Sequence, residues 1–336
     1  MKKADNPNRR LAEIVNAFPR LTVAVLADLV ADEFVYGEIA RVSREAPVLI
    51  LKHRESAVVP GGGANAICNL ADLGVNVLPV GVVGDDEPGR MLLHRFRQKH
   101  IPLGGILKLK GYPTITKTRI LAGHTHSSRQ QVVRLDREPE EALTGKTLRE
   151  IAENTRSFLN ASDALLLSYY GYGAAAPEVW NSVRSAVDDI PVTLDSRYRL
   201  LSYIGVTAAT PNEAEVEEAL RTRIGQNDQR LLAAGKTVLE RMKLQSLVIT
   251  RGRDGLVAFA RRRPAVRVPI HGSDQVVDVT GAGDTVIAAY TAALAAGAEA
   301  EEAARLANFA GGIVVMKRGT ATVSAAELLE AVKAAP

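Results

Sequence analysis

Residues 276–285 read Val-Val-Asp-Val-Thr-Gly-Ala-Gly-Asp-Thr, and an apolar segment from Val286 to Ala296 follows them. This pattern predicts a strand, a tight turn at residues 281–283 and the start of a helix. Backbone amides at such a turn, together with the positive end of the helix dipole, form a site for a phosphate or a developing negative charge. Glycine is needed there because a Cβ atom would block the close approach of a phosphate.

Asp284 lies in the first turn of this predicted helix, beside the anion site. A carboxylate in that place can accept the proton of an attacking hydroxyl, which is the general-base role in phosphoryl transfer. The same residues also have a purely structural interpretation, in which Gly281 and Gly283 shape the loop and Asp284 caps the helix. These ten residues alone do not decide between the two interpretations.

The segments outside this stretch predict an α/β architecture. From Glu138 onward, helical segments alternate with short apolar strands at Ala164–Leu167, Pro191–Leu194, Val206–Ala209 and Leu247–Thr250. This alternation indicates a doubly wound, mostly parallel sheet with helices on both faces. The Ala-rich segment from Thr285 to Pro336 predicts two or three packed helices.

The N-terminal part of the chain departs from that pattern. After a strand at Thr22–Ala27, a β-rich stretch from Phe34 to Val59 and further strands at Thr114–Leu121 and Gln130–Leu135 do not fit the parallel sheet. We therefore predict one domain over residues 1–336, with a small β lid inserted at about 34–60 and 112–136. The lid would cover the site or contact a second subunit.

Composition excludes several classes of protein. With 46% hydrophobic and 24% charged residues in 336, the chain is an ordinary globular one. No run approaches the roughly 20 apolar residues of a membrane span, and the basic start at Met1–Arg10 lacks the apolar segment of a secretory signal. The single cysteine, Cys68, excludes an intramolecular disulfide, favours a cytoplasmic location and is expected to be a buried apolar residue.

The net charge of +4 does not indicate a nucleic-acid partner. The cationic residues are scattered, and their one compact run, Arg261–Arg263, is interpreted as a solvated hairpin tip. Aromatic residues make up only 4% of the chain, too few for base-stacking platforms. We expect no nucleic-acid and no membrane partner.

Four motifs in one order resemble those of the ribokinase-like (PfkB) carbohydrate kinases. They are the segment Asp278–Thr285, the glycine-rich Pro60–Ala66 with Leu73-Gly74 and Val80–Gly89, the Asn-x-x-Glu of Thr210–Glu215, and the Thr-x-Gly-x-x-Gly of Thr250–Gly255. The resemblance extends over nearly the whole chain. Any one motif would be weak, whereas four in the right order are specific.

The resemblance implies a kinase that transfers the γ-phosphoryl group of ATP to a sugar hydroxyl, in a groove between the large sheet and the lid. Asp284 would be the base, and the amides of Gly281, Ala282 and Gly283 the anion hole. The ATP side would comprise Asn212, Glu215, Thr250, Gly252, Gly255 and Asn308. Mg²⁺ would accompany ATP and reach Glu215 through water, and a monovalent cation, K⁺, would lie near Asp278 and Thr280.

A narrower resemblance concerns the sugar. Residues 28–37 and 41–48, Thr116–Arg119, Arg134–Asp136 and the ending Gly319–Ser324 are similar to heptose-7-phosphate kinases, which make the 1,7-bisphosphate for ADP-heptose and lipopolysaccharide. The sugar side would then comprise Asp28, Asp32, Gly62, Gly63, Asn65, Lys117 and Arg119. Asp28 and Asp32 suit sugar hydroxyls, and Lys117 and Arg119 suit a phosphate already on the acceptor. An ordinary solvent-facing strand edge explains the two cations equally well.

Two departures limit this narrower resemblance. Heptose kinases often carry Ser-Asp-Tyr-x-Lys-Gly, where this chain has Ser168-Tyr169-Tyr170-Gly171-Tyr172-Gly173. The tyrosines offer either a stacking and hydrogen-bonding surface or core packing. The chain also ends at Pro336 without the nucleotidyltransferase segment that is fused to some heptose kinases, so a kinase-only form is expected.

Alternative functions remain open at this point. Within the same class, the acceptor could be another sugar, sugar phosphate or nucleoside. A non-catalytic sugar- or nucleotide-binding sensor is disfavoured by the intact loop at residues 281–284, and a dinucleotide-dependent oxidoreductase by the lack of Gly-x-Gly-x-x-Gly after the first strand. His124 and His126 lack a third ligand nearby, so no zinc is assigned. Exposed lid strands predict a homodimer formed through the lid.

Overall fold

The computed structural model describes residues 7–123, 130–272, 277–317 and 319–335. Its strands are β1 (Thr22–Ala27), β2 (Leu29–Val42), β3 (Leu49–Gly62), β4 (Asn76–Gly84), β5 (Gly105–Leu109), β6 (Thr116–Gly123), β7 (Gln130–Arg137), β8 (Ala164–Tyr169), β9 (Val192–Ser196), β10 (Ala208–Ala209), β11 (Ser246–Thr250), β12 (Leu256–Ala260) and β13 (Val266–Val268). Its α-helices are α1 (Pro7–Ala17), α2 (Gly63–Asp72), α3 (Glu87–Gln98), α4 (Gly145–Leu159), α5 (Pro177–Val183), α6 (Glu213–Leu220), α7 (Asp228–Arg241), α8 (Ala282–Ala295), α9 (Ala300–Val314) and α10 (Ala325–Ala334).

The large sheet has the order β13-β12-β11-β10-β9-β8-β1-β4-β5. Every pair from β11 to β5 is parallel, and β12 and β13 are added antiparallel at one edge. The predicted mostly parallel, doubly wound sheet is therefore confirmed. The order runs outward from β1 in both directions, and in such sheets the crevice at the reversal point, beyond the carboxyl ends of the strands, binds ligands.

Helices cover both faces of this sheet, as the alternation along β1 shows. Val23, Val25 and Ala27 belong to the core shared with α1, α2, α3, α8, α9 and α10. Ala24 and Leu26 belong to the opposite core, which is shared with α4, α5 and α7. Among the described residues, no helix has the length and apolar composition needed to cross a bilayer.

A second sheet of four strands, in the order β3-β2-β6-β7, forms the lid. The predicted separation of this β-rich stretch from the main sheet is confirmed. The first pair of strands, between Leu29 and Gly62, extends beyond the predicted bounds of 34–60, whereas the second pair, between Thr116 and Arg137 around the gap at 124–129, begins four residues later and ends one residue later than predicted. Because β2 begins two residues after β1 ends, the lid lies directly over the reversal point of the large sheet.

Several predicted elements differ from those observed. The strand expected before the Gly-Ala-Gly turn is absent from residues 277–279, which are irregular, and Val276 lies outside the described residues. The helix after that turn begins at Ala282, so Asp284 lies in its first turn as predicted. The Ala-rich end forms three helices, and Arg261–Arg263 lie between the antiparallel strands β12 and β13, at a hairpin as interpreted. Cys68 is buried.

Candidate active site

The candidate site lies where the carboxyl ends of β1, β8, β9, β10 and β11 meet the N-terminus of α8. Parallel strands end at the same edge of the sheet, so Asp28 after β1, the loop at 168–173 after β8 and Asp195 at the end of β9 come together there. The lid strands β2 and β6 close the same edge from above. Residues far apart in the sequence are thus brought to one place.

Asp284 lies at the centre of this site, in the first turn of α8, with only 3% of its surface exposed. Its Oδ1 accepts a hydrogen bond from the Tyr170 hydroxyl at 2.7 Å, and its Oδ2 accepts one from Asn65 Nδ2 at 2.9 Å. Burial raises the pKa of Asp284 to about 7, although these two hydrogen bonds favour the charged form. A carboxyl with a pKa near neutrality is suited to take up a proton and release it again.

An asparagine chain joins the two glycine-rich motifs. Asn65 also reaches the carbonyl of Gly281 at 3.3 Å, and Asn69 Nδ2 donates to Asn65 Oδ1 at 3.2 Å. The Thr285 hydroxyl then donates to Asn69 Oδ1 at 3.0 Å. Since Asn65 and Asn69 lie on α2 while Asp284 and Thr285 lie on α8, this buried network fixes the two helices relative to each other.

The anion loop is held in shape by Asp278 and Gly281. Asp278 accepts from the amides of Thr280 at 2.9 Å and Gly319 at 3.0 Å. Gly281 has φ +80°, and a Cβ atom there would lie 2.5 Å from Asn65 Nδ2. Of the three amides expected to form the anion hole, that of Ala282 donates to Val279 at 3.2 Å, so its donor is already engaged in this conformation.

Asp28 differs from its predicted role. Only 1% of its surface is exposed, and its carboxylate accepts from the backbone amides of Tyr170 and Tyr172 at 2.9 Å and of Ala174 at 2.8 Å. These bonds hold the loop after β8 in place. The geometry therefore favours a structural role for Asp28 over direct contact with a sugar hydroxyl.

Asp32 lies in the roof of the site, on β2. Its carboxylate forms an ion pair with Arg119 on β6 at 3.1 Å and accepts a long hydrogen bond from the Thr320 hydroxyl at 3.5 Å. Burial raises the pKa of Asp32, and the positive charges of Arg119 and Lys117 oppose that effect. The Arg119 guanidinium is thus already paired with Asp32, and among the described residues its buried Nε atom has no hydrogen-bond partner.

Lys117 lies two residues before Arg119 on β6 and has different surroundings. Its Nζ atom lies over the rings of Tyr170 and Tyr172, 5.5 Å and 6.0 Å from their centroids. Burial lowers the pKa of Lys117. In the part of the chain that the structure describes, no carboxylate forms a salt bridge with Lys117, so this cation is the more available of the two for an anionic ligand.

The glycines at the start of α2 permit close packing below the lid. A Cβ atom on Gly63 would lie 2.5 Å from the Ala27 side chain, and one on Gly62 would lie 3.2 Å from the Tyr170 ring. Gly62 and Gly63 are therefore required by their neighbours, whatever contacts they make with a sugar.

The three tyrosines at the end of β8 and in the loop after it were expected either to pack in the core or to offer a stacking and hydrogen-bonding surface, and they differ in which of these they do. Tyr169 is buried and packs against Tyr203, with ring centroids 6.0 Å apart. Tyr170 donates to Asp284, and the Tyr172 hydroxyl donates to Glu138 at 2.5 Å. Core packing thus applies to Tyr169, whereas Tyr170 and Tyr172 are hydrogen-bonding groups.

An apolar pocket adjoins the anion loop on the other side of Asp284. Its cavity volume is about 160 Å³, smaller than the roughly 300–1,000 Å³ of typical small-molecule sites. It is lined by Thr250, Gly252, Arg253, Gly255, Leu256, Ile270, Val279, Ala282, Gly283, Val286, Asn308, Gly311, Gly312 and Val315. Four of the six residues predicted for the ATP side therefore line one pocket, while Asn308 also donates to the Pro269 carbonyl at 2.8 Å.

The other two, Asn212 and Glu215, form a capping box at the start of α6. Glu215 N donates to Asn212 Oδ1, and Asn212 N donates to Glu215 Oε2, both at 2.9 Å. This arrangement is a structural device in its own right. It also holds the Glu215 carboxylate at the edge of the sheet where Asp195 lies.

Asp195 was missed in the sequence analysis. Burial and the negative charges of Glu215 and Asp284 raise its pKa well above the usual range. Its position directly after a predicted buried strand was an available signal, because carboxyl ends of parallel strands converge. The half-buried Asp195 and Glu215 and the buried Asp284 bring three carboxyl groups together beside the anion loop, and a bound cation would favour their ionised forms.

Metal sites receive limited support from the side chains alone. Within the described ranges, no group of three or more His, Cys, Asp or Glu side chains is arranged to hold a metal ion. His124 and His126 lie outside the described residues. Asp195 and Glu215 fit a cation whose remaining ligands are phosphate oxygens and water. The K⁺ site at Asp278 and Thr280 stays a prediction.

Comparison with known proteins gives one consistent result. The model of the pfkB family of carbohydrate kinases matches residues 29–327. Proteins named bifunctional protein HldE from Pelobacter propionicus and Geobacter sulfurreducens are 36% and 38% identical to this chain over 327 and 312 residues. These matches cover 96% and 92% of this chain but 66% and 62% of the relatives, so the chain spans less than two thirds of their length.

Solved structures show the same fold at low sequence identity. Arabidopsis thaliana ribokinase complexed with ribose and ATP has a TM-score of 0.73 and 19% identity, over 94% of this chain and 99% of that one. Phosphofructokinase-2 from Escherichia coli in complex with fructose-6-phosphate has a TM-score of 0.73 and 17% identity, over 93% and 98%. Each of these similarities supports the large mixed sheet with a second, small sheet.

Proposed function

Because the chain belongs to the pfkB family of carbohydrate kinases, and is thus an ATP-dependent phosphotransferase acting on a sugar hydroxyl, we propose heptose 7-phosphate as its acceptor. The product would be heptose 1,7-bisphosphate, formed at the anomeric hydroxyl. The observation that carries the assignment of the site is Asp284, a buried carboxylate at a helix N-terminus between the apolar pocket and the lid.

The reaction follows from this arrangement. Asp284 takes the proton of the sugar hydroxyl while that oxygen forms a bond to the γ-phosphorus of ATP. The bond between the γ-phosphorus and the bridging oxygen breaks, and ADP leaves with the electron pair. The amides of Gly281 and Gly283 and the dipole of α8 offset the charge on the transferred group.

Cations complete this proposal. The bound nucleotide would bring Mg²⁺, held through water by Glu215, with Asp195 beside it, and this ion offsets phosphate charge. K⁺ would lie near Asp278 and Thr280. A cytoplasmic location, expected from the single cysteine, stays a prediction.

Lys117 supports an acceptor that already carries a phosphate. Its half-buried ammonium lies beside the base and is available for an anion, whereas Arg119 is paired with Asp32. A charge-assisted hydrogen bond to phosphate is stronger than one to a neutral hydroxyl. The narrower sequence resemblance then selects heptose 7-phosphate among sugar phosphates.

ADP release from Mg-ATP with a panel of acceptors tests this proposal. The panel comprises heptose 7-phosphate, fructose phosphates, ribose, fructose and nucleosides, and Asp284→Asn is assayed alongside. We expect turnover with heptose 7-phosphate, reduced by roughly 10²- to 10⁴-fold in the variant. Turnover confined to another acceptor would overturn the heptose assignment, and an active Asp284→Asn would overturn the assignment of the base.

A further inference from the structure

The loop after β8 contributes a side chain to the base from outside the four motifs shared with the carbohydrate kinases. The Tyr170 hydroxyl donates to Asp284 Oδ1 at 2.7 Å, whereas Asn65 Nδ2 donates to the other carboxylate oxygen, Oδ2. The two donors leave further lone pairs on the carboxylate, since an ionised carboxylate accepts about four hydrogen bonds. A sugar hydroxyl can therefore donate to Asp284 without displacing the phenol.

Tyr170 is itself held on three sides. Its backbone amide donates to Asp28 Oδ2 at 2.9 Å. Its ring lies against the bare backbone of Gly62, where a Cβ atom would come within 3.2 Å, and under Lys117 Nζ at 5.5 Å from the centroid. The contacts with Asp28 and with the lid residues Gly62 and Lys117 thus fix the direction from which the phenol approaches Asp284.

We propose that Tyr170 is a positioning residue for the reaction, one that fixes the Asp284 carboxylate and favours the ionised form that accepts the sugar proton. This inference rests on the proposed function of Asp284 as the base. Asp28 then acts at one remove, by fixing the loop that presents the phenol.

The charges around the pair are consistent with this role. Burial, together with the charges of Asp284 and Asp195, raises the pKa of Tyr170 well above its usual range, so the phenol stays a donor. The other charged groups that face the pair are Asp32 on β2, Lys117 and Arg119 on β6, Asp195 and Arg197 at the end of β9, and Glu215 on α6. Of these, Asp32 opposes ionisation of Asp284 and Lys117 favours it, but neither donates a hydrogen bond to its carboxylate.

The test is the pH profile of kcat/KM for Tyr170→Phe, with the acceptor that the panel identifies. This change removes the hydroxyl and keeps the ring against Gly62 and Lys117. We expect the acid limb to move to higher pH, so that kcat/KM at pH 6 falls roughly tenfold while its value at pH 9 changes less than about twofold. Tyr172→Phe, which removes a hydroxyl bonded to Glu138 on the same loop, is the matched control and should leave the acid limb in place.

A second substitution acts in the opposite direction. 3-Fluorotyrosine at position 170 makes the phenol a stronger donor with little change in shape, and it should move the acid limb to lower pH. An equal loss of kcat/KM at every pH in Tyr170→Phe, or an acid limb that neither change moves, would overturn the inference. If Asp284→Asn is inactive and Tyr170→Phe leaves the pH profile of kcat/KM unchanged, the positioning role of Tyr170 is wrong while the assignment of Asp284 as the base stands. If Asp284→Asn stays active, both the assignment of Asp284 as the base and the positioning role of Tyr170 are wrong.

Discussion

At the scale of single residues, the burial that gives Asp284 a pKa suited to a base also lowers the stability of the folded chain. Its pKa is about 7 in the folded protein against an ordinary value of 3.8, because it is buried. Between these two values the folded chain binds more protons than the unfolded chain, so this group's contribution to stability falls as pH rises from about 4 to about 7. Above pH 7 the full penalty applies, on the order of 4 kcal/mol.

Asp284→Asn should therefore be more stable than the wild type at pH 8, by roughly 2–4 kcal/mol, while losing activity. Urea unfolding at pH 8 and pH 4 measures this, and we expect the gap to shrink greatly at pH 4, where the wild-type carboxyl is protonated. Glu140→Gln, at an exposed position, is the control and should show no such gap. A gap of equal size at both pH values would contradict the account.

Lys117 and Arg119 differ in what each can bind. We expect Lys117→Met to raise KM for a phosphorylated acceptor roughly 10- to 100-fold, because a charge-assisted contact is lost, with little effect on an unphosphorylated sugar. Lys52→Met, on the exposed strand β3 of the same lid, is the matched control. Steady-state kinetics with the phosphorylated and the unphosphorylated acceptor test this prediction. An equal rise in KM for both acceptors would exclude a contact between Lys117 and the phosphate.

Residue roles were predictable from the sequence where they belong to motifs, and less so elsewhere. Asn65 and Asp284 were both singled out because each belongs to a glycine-rich motif, and the structure brings them into direct contact. The contacts of Tyr170 and Asp28 could not be predicted from motifs. Whether a tyrosine hydroxyl meets the base, or an aspartate meets backbone amides, depends on loop geometry that periodicity does not encode.

At the scale of elements, the capping box of α6 combines a structural and a functional role. Asn212→Ala removes the side-chain cap and should lower stability by about 1 kcal/mol. Asn212→Asp keeps an equally good cap, so its unfolding free energy should stay near that of the wild type. It adds a carboxylate beside Glu215, however, and we expect KM for Mg-ATP to rise in both variants. If Asn212→Asp restores the KM together with the stability, the box is structural only.

Elements with strong periodicity were predictable, and those formed by tertiary context were not. The strand β1 matches its predicted bounds, Thr22–Ala27. Strand β10 has only two residues, Ala208–Ala209, whereas Val206–Ala209 was predicted. These two residues pair with both β9 and β11. The helix α1 went unpredicted: its only apolar stripe, Leu11, Ile14 and Val15, is short, and it is stabilised by packing on the core.

At the scale of the whole molecule, the lid exposes apolar side chains at its edges. Strand β7 is an edge of the small sheet and carries Val132, Val133 and Leu135 at 41%, 51% and 62% exposure. The opposite edge strand, β3, begins at Leu49, which is 44% exposed. Unpaired edge strands with apolar faces favour association, so these residues support the proposed homodimer through the lid.

Val133→Lys together with Leu135→Lys tests this dimer, because lysine on an edge strand opposes edge-to-edge pairing. We expect light scattering to give twice the chain mass of 36.0 kDa for the wild type and the single-chain mass for the variant. Met91→Lys replaces an exposed methionine on the helix α3, outside the edge strands of the small sheet, and should stay dimeric. Because the lid strands β2 and β6 carry Asp32 and Lys117, loss of the dimer should also raise KM for the acceptor more than KM for ATP. A wild type that is monomeric at micromolar concentration would contradict the predicted dimer.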